Sequence, residues 1–452
     1  MGKRILLTGT KSGSGKTTIT CGLLKLLLRR GLIAESFKCG PDYIDPMFHG
    51  AVLGIRSGNL DSYLMDEPAL LNQLTAGETK RDIGVIEGVM GFYDGIGMTG
   101  RGSTWEISEL TRTPVILILD CQGMGAGIGA LLKGFLDYRN NRIGGVIFNR
   151  LPGKLYAGAA DLAKQLGVRP FGYIPPQKDI AFKSRYLGLI PAGEQADIQE
   201  KLSRLADRME ETVDIEGILS LAAEAEPLPQ PRRERKPSRG KACVAVAKDE
   251  AFCFHYRDNL RILEELGCEI LWFKPTKDAL LPPGSDGLIL WGGYPELYAR
   301  ALSENESLRL DILHKIQTGM PVIGECGGFL YLHENLEGAD GRTYPMAGYI
   351  PGTAFRTNQL QHFGYVEVTA REDTLLLDKG ETIRSHEFHY WSDTRPGEHF
   401  SVKKAGREEA WREGYGNRRV YAGFPHIHFS SSRTAANRFA KACLTYQREK
   451  KK

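Results

Sequence analysis

The sequence predicts an α/β protein made of two parallel-sheet domains, and two observations carry that expectation. In the first half, short apolar runs alternate with longer helical patterns. Residues 4–7, 83–87, 115–120 and 145–149 read as buried strands, and 17–30 and 125–138 as helices. Such alternation calls for a parallel sheet covered on both faces, with ligands at the carboxyl ends of its strands. A second alternation begins at Ala242: residues 242–247, 287–290 and 321–324 read as strands and 259–266 as a helix. Beyond about Tyr349 the pattern turns β-rich, with 363–368 a candidate strand.

Residues 224–241, EAEPLPQPRRERKPSRGK, break the pattern. They are proline-rich, charged and without apolar periodicity, which reads as a solvated linker. The expected domains are therefore 1–223 and 242–446, with 448–452 a frayed basic tail.

Composition excludes several classes. The chain has 452 residues and a net charge of only +4, too little for general nucleic-acid affinity. No apolar run approaches the roughly 20 residues that span a bilayer. The chain runs from Lys3-Arg4 straight into the apolar Ile5-Leu6-Leu7, too short a lead for a signal peptide, so a cytoplasmic location is expected. Eight scattered cysteines, none in a CxxC pair, argue against disulfides and structural zinc.

The first strand runs into GTKSGSGKTT at residues 9–18, and a helix follows. Glycines such as Gly13 and Gly15 let backbone N–H groups turn inward onto phosphate oxygens. Lys16 would neutralise the β/γ-phosphates, the Thr17 hydroxyl would bind Mg²⁺, and Thr18 continues the helix start. Five residues rather than four separate Gly9 from Gly15-Lys16. Counted from Lys11, the loop resembles the deviant loops of partitioning ATPases and dethiobiotin synthetase.

Glu87 ends an apolar strand in IEGVMG, where a carboxylate suits a Mg²⁺ ligand. Asp94 follows in FYDG, and Asp45 lies in KCGPDYIDP, a loop stiffened by Pro41 and Pro46. Either aspartate, taken alone, fits a plain turn as well.

Cys326 stands in GECGG between a strand and a helix, the thiol counterpart of a nucleophile elbow. The helix N-terminus is expected to lower its pKa. The Gly327 N–H can donate to a tetrahedral oxyanion, with Gly292 or Gly293 of WGGYPE as second donor. A base must assist the thiol. His426 is favoured and His428 is the fallback, and alternation along a strand would point both the same way.

These motifs together resemble the cobyrinic acid a,c-diamide synthase family. The resemblance runs from residue 3 to about 432. It includes the glycine loop, KCGPDYIDPMFH at 38–49, NLDSYLM at 59–65, EGVMGFYDG at 87–95, RYLGLIPAGE at 185–194 and DEAFCFHYRDNL at 249–260. It continues through GGYPELYA at 292–299, GECGGFLYL at 324–332, GYVEV at 364–368 and HEFHYW at 386–391. Trp291 stands where the family has the first glycine of GGGYPE, and Tyr186 where it has histidine. The family lacks the usual triad glutamate two residues after the histidine; here His428 holds that place, which implies a Cys326–His426 dyad.

The resemblance implies a P-loop, dethiobiotin-synthetase-like domain that binds Mg-ATP and a corrinoid carboxylate, and a class I glutamine amidotransferase-like domain that cleaves glutamine. A carboxylate attacks the γ-phosphate to give an acyl phosphate, which captures ammonia; the a and c side chains react in succession. Lys16 and Lys38 would offset phosphoryl charge, and Thr17, Asp45 and Glu87 would hold the metal. Asp94 would lie near the substrate, and Asn149 at the adenine base. His386, Glu387, His389 and Tyr390 would help hold the tetrapyrrole. The implied partners are cobyrinic acid, glutamine and ATP, with no nucleic acid and no membrane; a homodimer is left open. Rivals with the same chemistry act on nickel-sirohydrochlorin (for coenzyme F430) or hydrogenobyrinic acid. Cobyric acid synthase shares the architecture but lacks the KCGPDYIDP block. A partitioning-type switch ATPase is the rival from another class.

Overall fold

The computed structural model describes residues 2–76, 80–177, 192–229 and 241–451, with backbone alone at 192–196. The RYLGLIPAGE block up to residue 191 and the linker's 230–240, with its arginine cluster, lie outside the described residues. The chain divides into two compact units, Met1–Arg232 and Arg233–Lys452.

The first unit is a βα alternation. Its elements are β1 (Lys3–Gly9), α1 (Lys16–Arg29), β2 (Ala34–Cys39), α2 (Ile44–Leu53), β3 (Arg56–Leu60), α3 (Glu67–Thr75) and β4 (Ile83–Glu87). These are followed by α4 (Thr104–Leu110), β5 (Val115–Asp120), α5 (Gly127–Asp137), β6 (Ile143–Asn149), α6 (Tyr156–Gln165), β7 (Arg169–Ile174), α7 (Ala192–Thr212) and α8 (Ile215–Ala223). All seven strands pair in parallel, in the order β3-β2-β4-β1-β5-β6-β7. Strand side chains alternate between faces, so each strand feeds two cores. In β1, Ile5 and Leu7 pack with α1, α7 and α8, while Leu6 joins α3, α5 and α6 on the other face. Lys38, Glu87, Asp120 and Asn149 all stand at the carboxyl ends of their strands.

The start of the expected linker belongs to this unit. Glu224 forms a double hydrogen bond with Arg169 (2.8 and 3.0 Å), Glu226 pairs with Arg142 (2.6 Å), and the Glu226 carbonyl accepts from buried Arg4. Glu224 and Glu226 are exposed, as composition suggested, and also pair with arginines far away in sequence.

The second unit opens with β8 (Ala242–Ala247), α9 (Arg257–Glu265), β9 (Cys268–Phe273), β10 (Gly287–Leu290), α10 (Ala299–Glu304), α11 (Glu306–Gln317), β11 (Val322–Glu325) and α12 (Gly327–Leu332). A β-rich stretch follows: β12 (His333–Glu337), β13 (Thr343–Pro345), β14 (Ile350–Arg356), β15 (Phe363–Ala370), β16 (Thr382–Phe388), β17 (Trp391–Asp393), β18 (Phe400–Lys404) and β19 (Ala410–Glu413). The chain closes with β20 (Tyr415–Asn417), β21 (Val420–Gly423), β22 (His426–Ile427) and α13 (Arg433–Glu449).

The central sheet, β20-β21-β11-β10-β8-β9, is parallel except for β20. Beside it are a four-stranded sheet, β13-β12-β14-β17, and an antiparallel five-stranded sheet, β19-β18-β15-β16-β22. The chain leaves the central sheet after β21 and joins the antiparallel one at β22, where His426 pairs with His386. The basic tail is not frayed up to Lys450: α13 reaches Glu449, and the Lys450 ammonium sits 2.6 Å from buried Asp286. Among the described residues, no helix is long and apolar enough to cross a membrane.

Candidate active sites

In the first unit, the turn between β1 and α1 forms the phosphate loop. Gly13 (φ 76°) and Gly15 (φ 93°) adopt left-handed backbone that glycine reaches without strain. Gly15 is also a point of close approach, since a Cβ there would lie 2.1 Å from Asn149 Nδ2. Asn149 donates to the Ser14 carbonyl (2.8 Å) and thereby ties the end of β6 to the loop. Arg150 adds a second tie: it donates to the Gly13 carbonyl (3.0 Å) while its Nε binds Asp120 (2.8 Å). Lys11 approaches the same Asp120 at 3.5 Å. Gly13, Gly15, Lys16, Thr17, Thr18, Asn149 and Arg150 line a cleft of about 460 Å³ that also takes in Ile174, Pro175 and Gln177.

Thr17, Asp45 and Glu87 come together. The Thr17 hydroxyl donates to Glu87 Oε1 at 2.6 Å and lies 3.5 Å from Asp45 Oδ2. The Lys38 ammonium is wedged between them, 2.5 Å from Asp45 and 2.7 Å from Glu87. Burial opposes charge on Lys38, but the flanking carboxylates prevail and hold its pKa well above the ordinary lysine value. Burial pushes Glu87 up to about 7 against the pull of Lys38. Asp45, also opposed by burial, is drawn below its ordinary value by Lys38.

One hydroxyl and two carboxylates are hard oxygen donors of the kind Mg²⁺ takes, with phosphate oxygens completing its shell. Among the described residues no cluster of three or more acidic, histidine or cysteine ligands is found. Lys16 donates to the Lys11 carbonyl (3.1 Å) and to Met90; burial, then Lys38, lowers its pKa to about 8. Asp94 is exposed near Lys16 and accepts the Gly91 N–H at 2.9 Å.

In the second unit, Cys326 joins β11 to α12 with φ 47° and ψ −104°, the strained backbone of an elbow. Gly328 permits the turn, since a Cβ there would meet the Leu290 carbonyl oxygen at 1.8 Å. The Cys326 N–H donates to the Gly423 carbonyl (2.8 Å), which seats the elbow against the end of β21, three residues before His426. Gly293 lies against it: a Cβ on Gly327 would sit 3.0 Å from the Gly293 nitrogen. Both expected oxyanion donors thus lie at the elbow. The donor loop is braced by the 249–260 segment, through Tyr294 N to Ala251 O and Phe254 N to Gly292 O, each 2.9 Å. Trp291 is buried and stacks on His255, with ring centroids 6.1 Å apart.

One expectation reverses here. Burial, then the neighbouring Glu296, raises the Cys326 thiol well above the ordinary value, outweighing the Gly327 N–H. Cys326 therefore rests as a thiol. The two histidines also part company. His426 lies beside Gly292, whose Cβ would come 2.6 Å from the ring, and near Glu325 (3.9 Å). His428 lies beyond the end of β22, caps a turn by accepting the Ser430 N–H (3.2 Å), and packs on Tyr256. Burial lowers the His426 pKa to about 3, so its ring is neutral and free of a proton on one nitrogen.

The four expected tetrapyrrole contacts also divide. Glu387 is fully buried and bonds His389 (2.7 Å), which is itself buried and stacked on Phe424 at 3.7 Å. Neither offers a face to a macrocycle. Tyr390 is 44% exposed, and His386 is partly covered by Phe363 and Tyr365. The sequence reading missed Asp120 and Arg150 at the loop, Glu325 beside the histidine, and Asn259. The Asn259 side chain donates to Ile427 O (2.7 Å) and accepts from Phe429 N (2.8 Å). Its only signal was membership of the DEAFCFHYRDNL block.

Comparisons with known proteins agree with this division of labour. Residues 5–187 match the CobQ/CobB/MinD/ParA nucleotide binding domain, and residues 243–434 match the CobB/CobQ-like glutamine amidotransferase domain. The class is therefore an α/β glutamine-dependent amidating ligase, a nucleotide-binding domain followed by an amidotransferase domain. A protein of Caldanaerobacter subterraneus named cobyrinate a,c-diamide synthase is 36% identical over 449 residues, 98% of this chain and 99% of its own. Proteins of the same name from Thermoplasma volcanium (36%, 99% of this chain and 98% of the relative) and Clostridium acetobutylicum (37%, 94% and 97%) are similarly close. The chain belongs to the cobyrinate a,c-diamide synthase family.

Proposed function

We propose that this enzyme amidates the a and c side-chain carboxylates of cobyrinate, using ATP and the amide nitrogen of glutamine. The observation that supports the reading is the presence of two distinct side-chain clusters on one chain. One is a phosphate loop whose half-buried Thr17 meets the buried Asp45, Glu87 and Lys38; the other is a cysteine elbow with a neutral histidine and with Gly327 and Gly293 beside it.

In the amidotransferase unit, His426 takes the Cys326 proton as sulfur attacks the glutamine carboxamide carbon. Gly327 and Gly293 N–H groups receive the oxyanion. The imidazolium then gives its proton to the departing nitrogen, leaving a thioester and ammonia, and water hydrolyses the thioester to glutamate. In the other unit, a corrinoid carboxylate oxygen attacks the γ-phosphorus of ATP and ADP leaves. Ammonia attacks the acyl phosphate carbon and inorganic phosphate departs. The detour is needed because a carboxylate resists ammonia. Thr17, Asp45 and Glu87 would hold Mg²⁺, which when bound neutralises phosphate charge. Lys16 neutralises the transferring phosphoryl group, and Lys38 stands beside it. Asn149 and Arg150 fix the loop and border the nucleotide cleft.

The switch-ATPase reading is disfavoured by the cysteine elbow on the same chain. The test is to offer cobyrinic acid, hydrogenobyrinic acid and nickel-sirohydrochlorin with ATP and glutamine, and to read products by mass. Amidation of cobyrinic acid at two positions is expected; preference for another tetrapyrrole would move the assignment. With Cys326→Ala, glutamine-dependent synthesis should vanish while ammonia-dependent synthesis persists. The reverse pattern would refute the division of labour.

A further inference from the structure

The family's amidotransferase site lacks the glutamate that, in a Cys-His-Glu triad, stands two residues after the histidine. His428 occupies that place and is spent capping a turn. An acid nevertheless stands beside the imidazole. Glu325, the residue immediately before the nucleophile, places Oε2 3.9 Å from His426 Nδ1, with both side chains 3% exposed. The Ile427 N–H also donates to the Glu325 carboxyl, so the acid is bonded to the backbone of the short histidine strand and lies near the ring. From the other side Asn259 holds the same strand through Ile427 O and Phe429 N.

We infer that Glu325 serves as the third member of this site: a positioning residue that receives the Nδ1–H of His426 and so leaves Nε2 free to take the Cys326 proton. This rests on the reading of His426 as base. The resting separation is longer than a hydrogen bond. Burial raises the Glu325 carboxyl well above its ordinary value; an imidazolium formed as the proton moves from sulfur to the ring favours the carboxylate form and draws its oxygen in, because opposite charges meet in a water-excluded setting. The placement follows from topology. β11 ends on the acid, the nucleophile follows it directly, and β22 in the neighbouring sheet carries the histidine.

The test uses the full chain. Glu325→Gln keeps the shape but presents a donor to Nδ1, favouring the tautomer that blocks Nε2. Glutaminase kcat is expected to fall at least about tenfold, with KM for glutamine little changed and synthesis from ammonium chloride intact. Glu325→Asp should recover part of the loss. The rate of Cys326 alkylation by iodoacetamide should shift along the pH axis in Glu325→Gln. The other groups that bear on this profile are His386 and His389 facing His426, Tyr421 facing Glu325, and Glu296 and Glu387 facing Cys326. A merely structural role would scale alkylation and synthesis together and leave the pH profile in place; that outcome overturns the inference. So does wild-type glutaminase activity in Glu325→Gln while His426→Ala is inactive. Activity surviving in His426→Ala would instead refute the reading of the base, and the inference with it.

Discussion

Lys16 is the residue whose electrostatics most directly foretell a measurement. Burial and the nearby Lys38 lower its pKa to about 8, so above that pH the free loop holds a growing share of neutral amine. Triphosphate favours the charged form, so ATP binding near pH 8.5 should take up a proton, and binding near pH 6.5 should not. Calorimetry in buffers of different ionisation enthalpy reads that uptake directly. Lys16→Ala should abolish synthesis with either glutamine or ammonia; full activity with ammonia would contradict its role. Cys326 offers a test of strain. Its φ of 47° costs a side chain about 1–3 kcal/mol, so Cys326→Gly should raise the unfolding free energy of its unit while eliminating glutaminase activity. At this scale the sequence was legible where a motif is local. Lys16, Thr17 and Cys326 announce themselves by their neighbours. Glu325 and Asn259 do not, because their partners lie about a hundred residues or more away in the chain.

At the scale of elements, the elbow and the donor loop form one packed unit. Gly328 leaves no room for a methyl group beside the Leu290 carbonyl, and Gly293 none beside the Ala251 carbonyl. Gly328→Ala should therefore cost several kcal/mol, more than about 3, seen as a lower melting transition for the amidotransferase unit. The strands of the central sheets were readable because fully buried parallel strands are continuous apolar runs. The antiparallel region was only partly readable. β16 alternates buried and exposed residues, yet HEFHYW gave no sign of which side chains face inward. Glu387 and His389 proved to be interior because they partner each other and Phe424, a pairing that periodicity does not encode.

At the scale of the whole molecule, each unit has its own pair of hydrophobic cores. Because each unit packs on cores of its own, two separable phenotypes are expected from Cys326→Ala and Lys16→Ala. The domain plan was visible as two rounds of strand–helix alternation. The edge of the first unit was not, since the exposed Glu224 and Glu226 pair with Arg169 and Arg142, partners that composition does not reveal. The elevated thiol of Cys326 belongs at this scale too. Burial beneath the donor loop sets its direction, and no motif reports how much protein will cover a sulfur.

The ammonium group of Lys38, lodged between Asp45 and Glu87, means that the protein carries a built-in counter-ion for its own acidic pocket. Two buried carboxylates without such a neighbour would repel each other and weaken the fold. Chelation of divalent ions should accordingly silence ligation yet leave the heat-denaturation midpoint of the nucleotide-binding half essentially where it was. In Lys38→Met that tolerance should disappear, and the same half should become dependent on magnesium for its heat resistance.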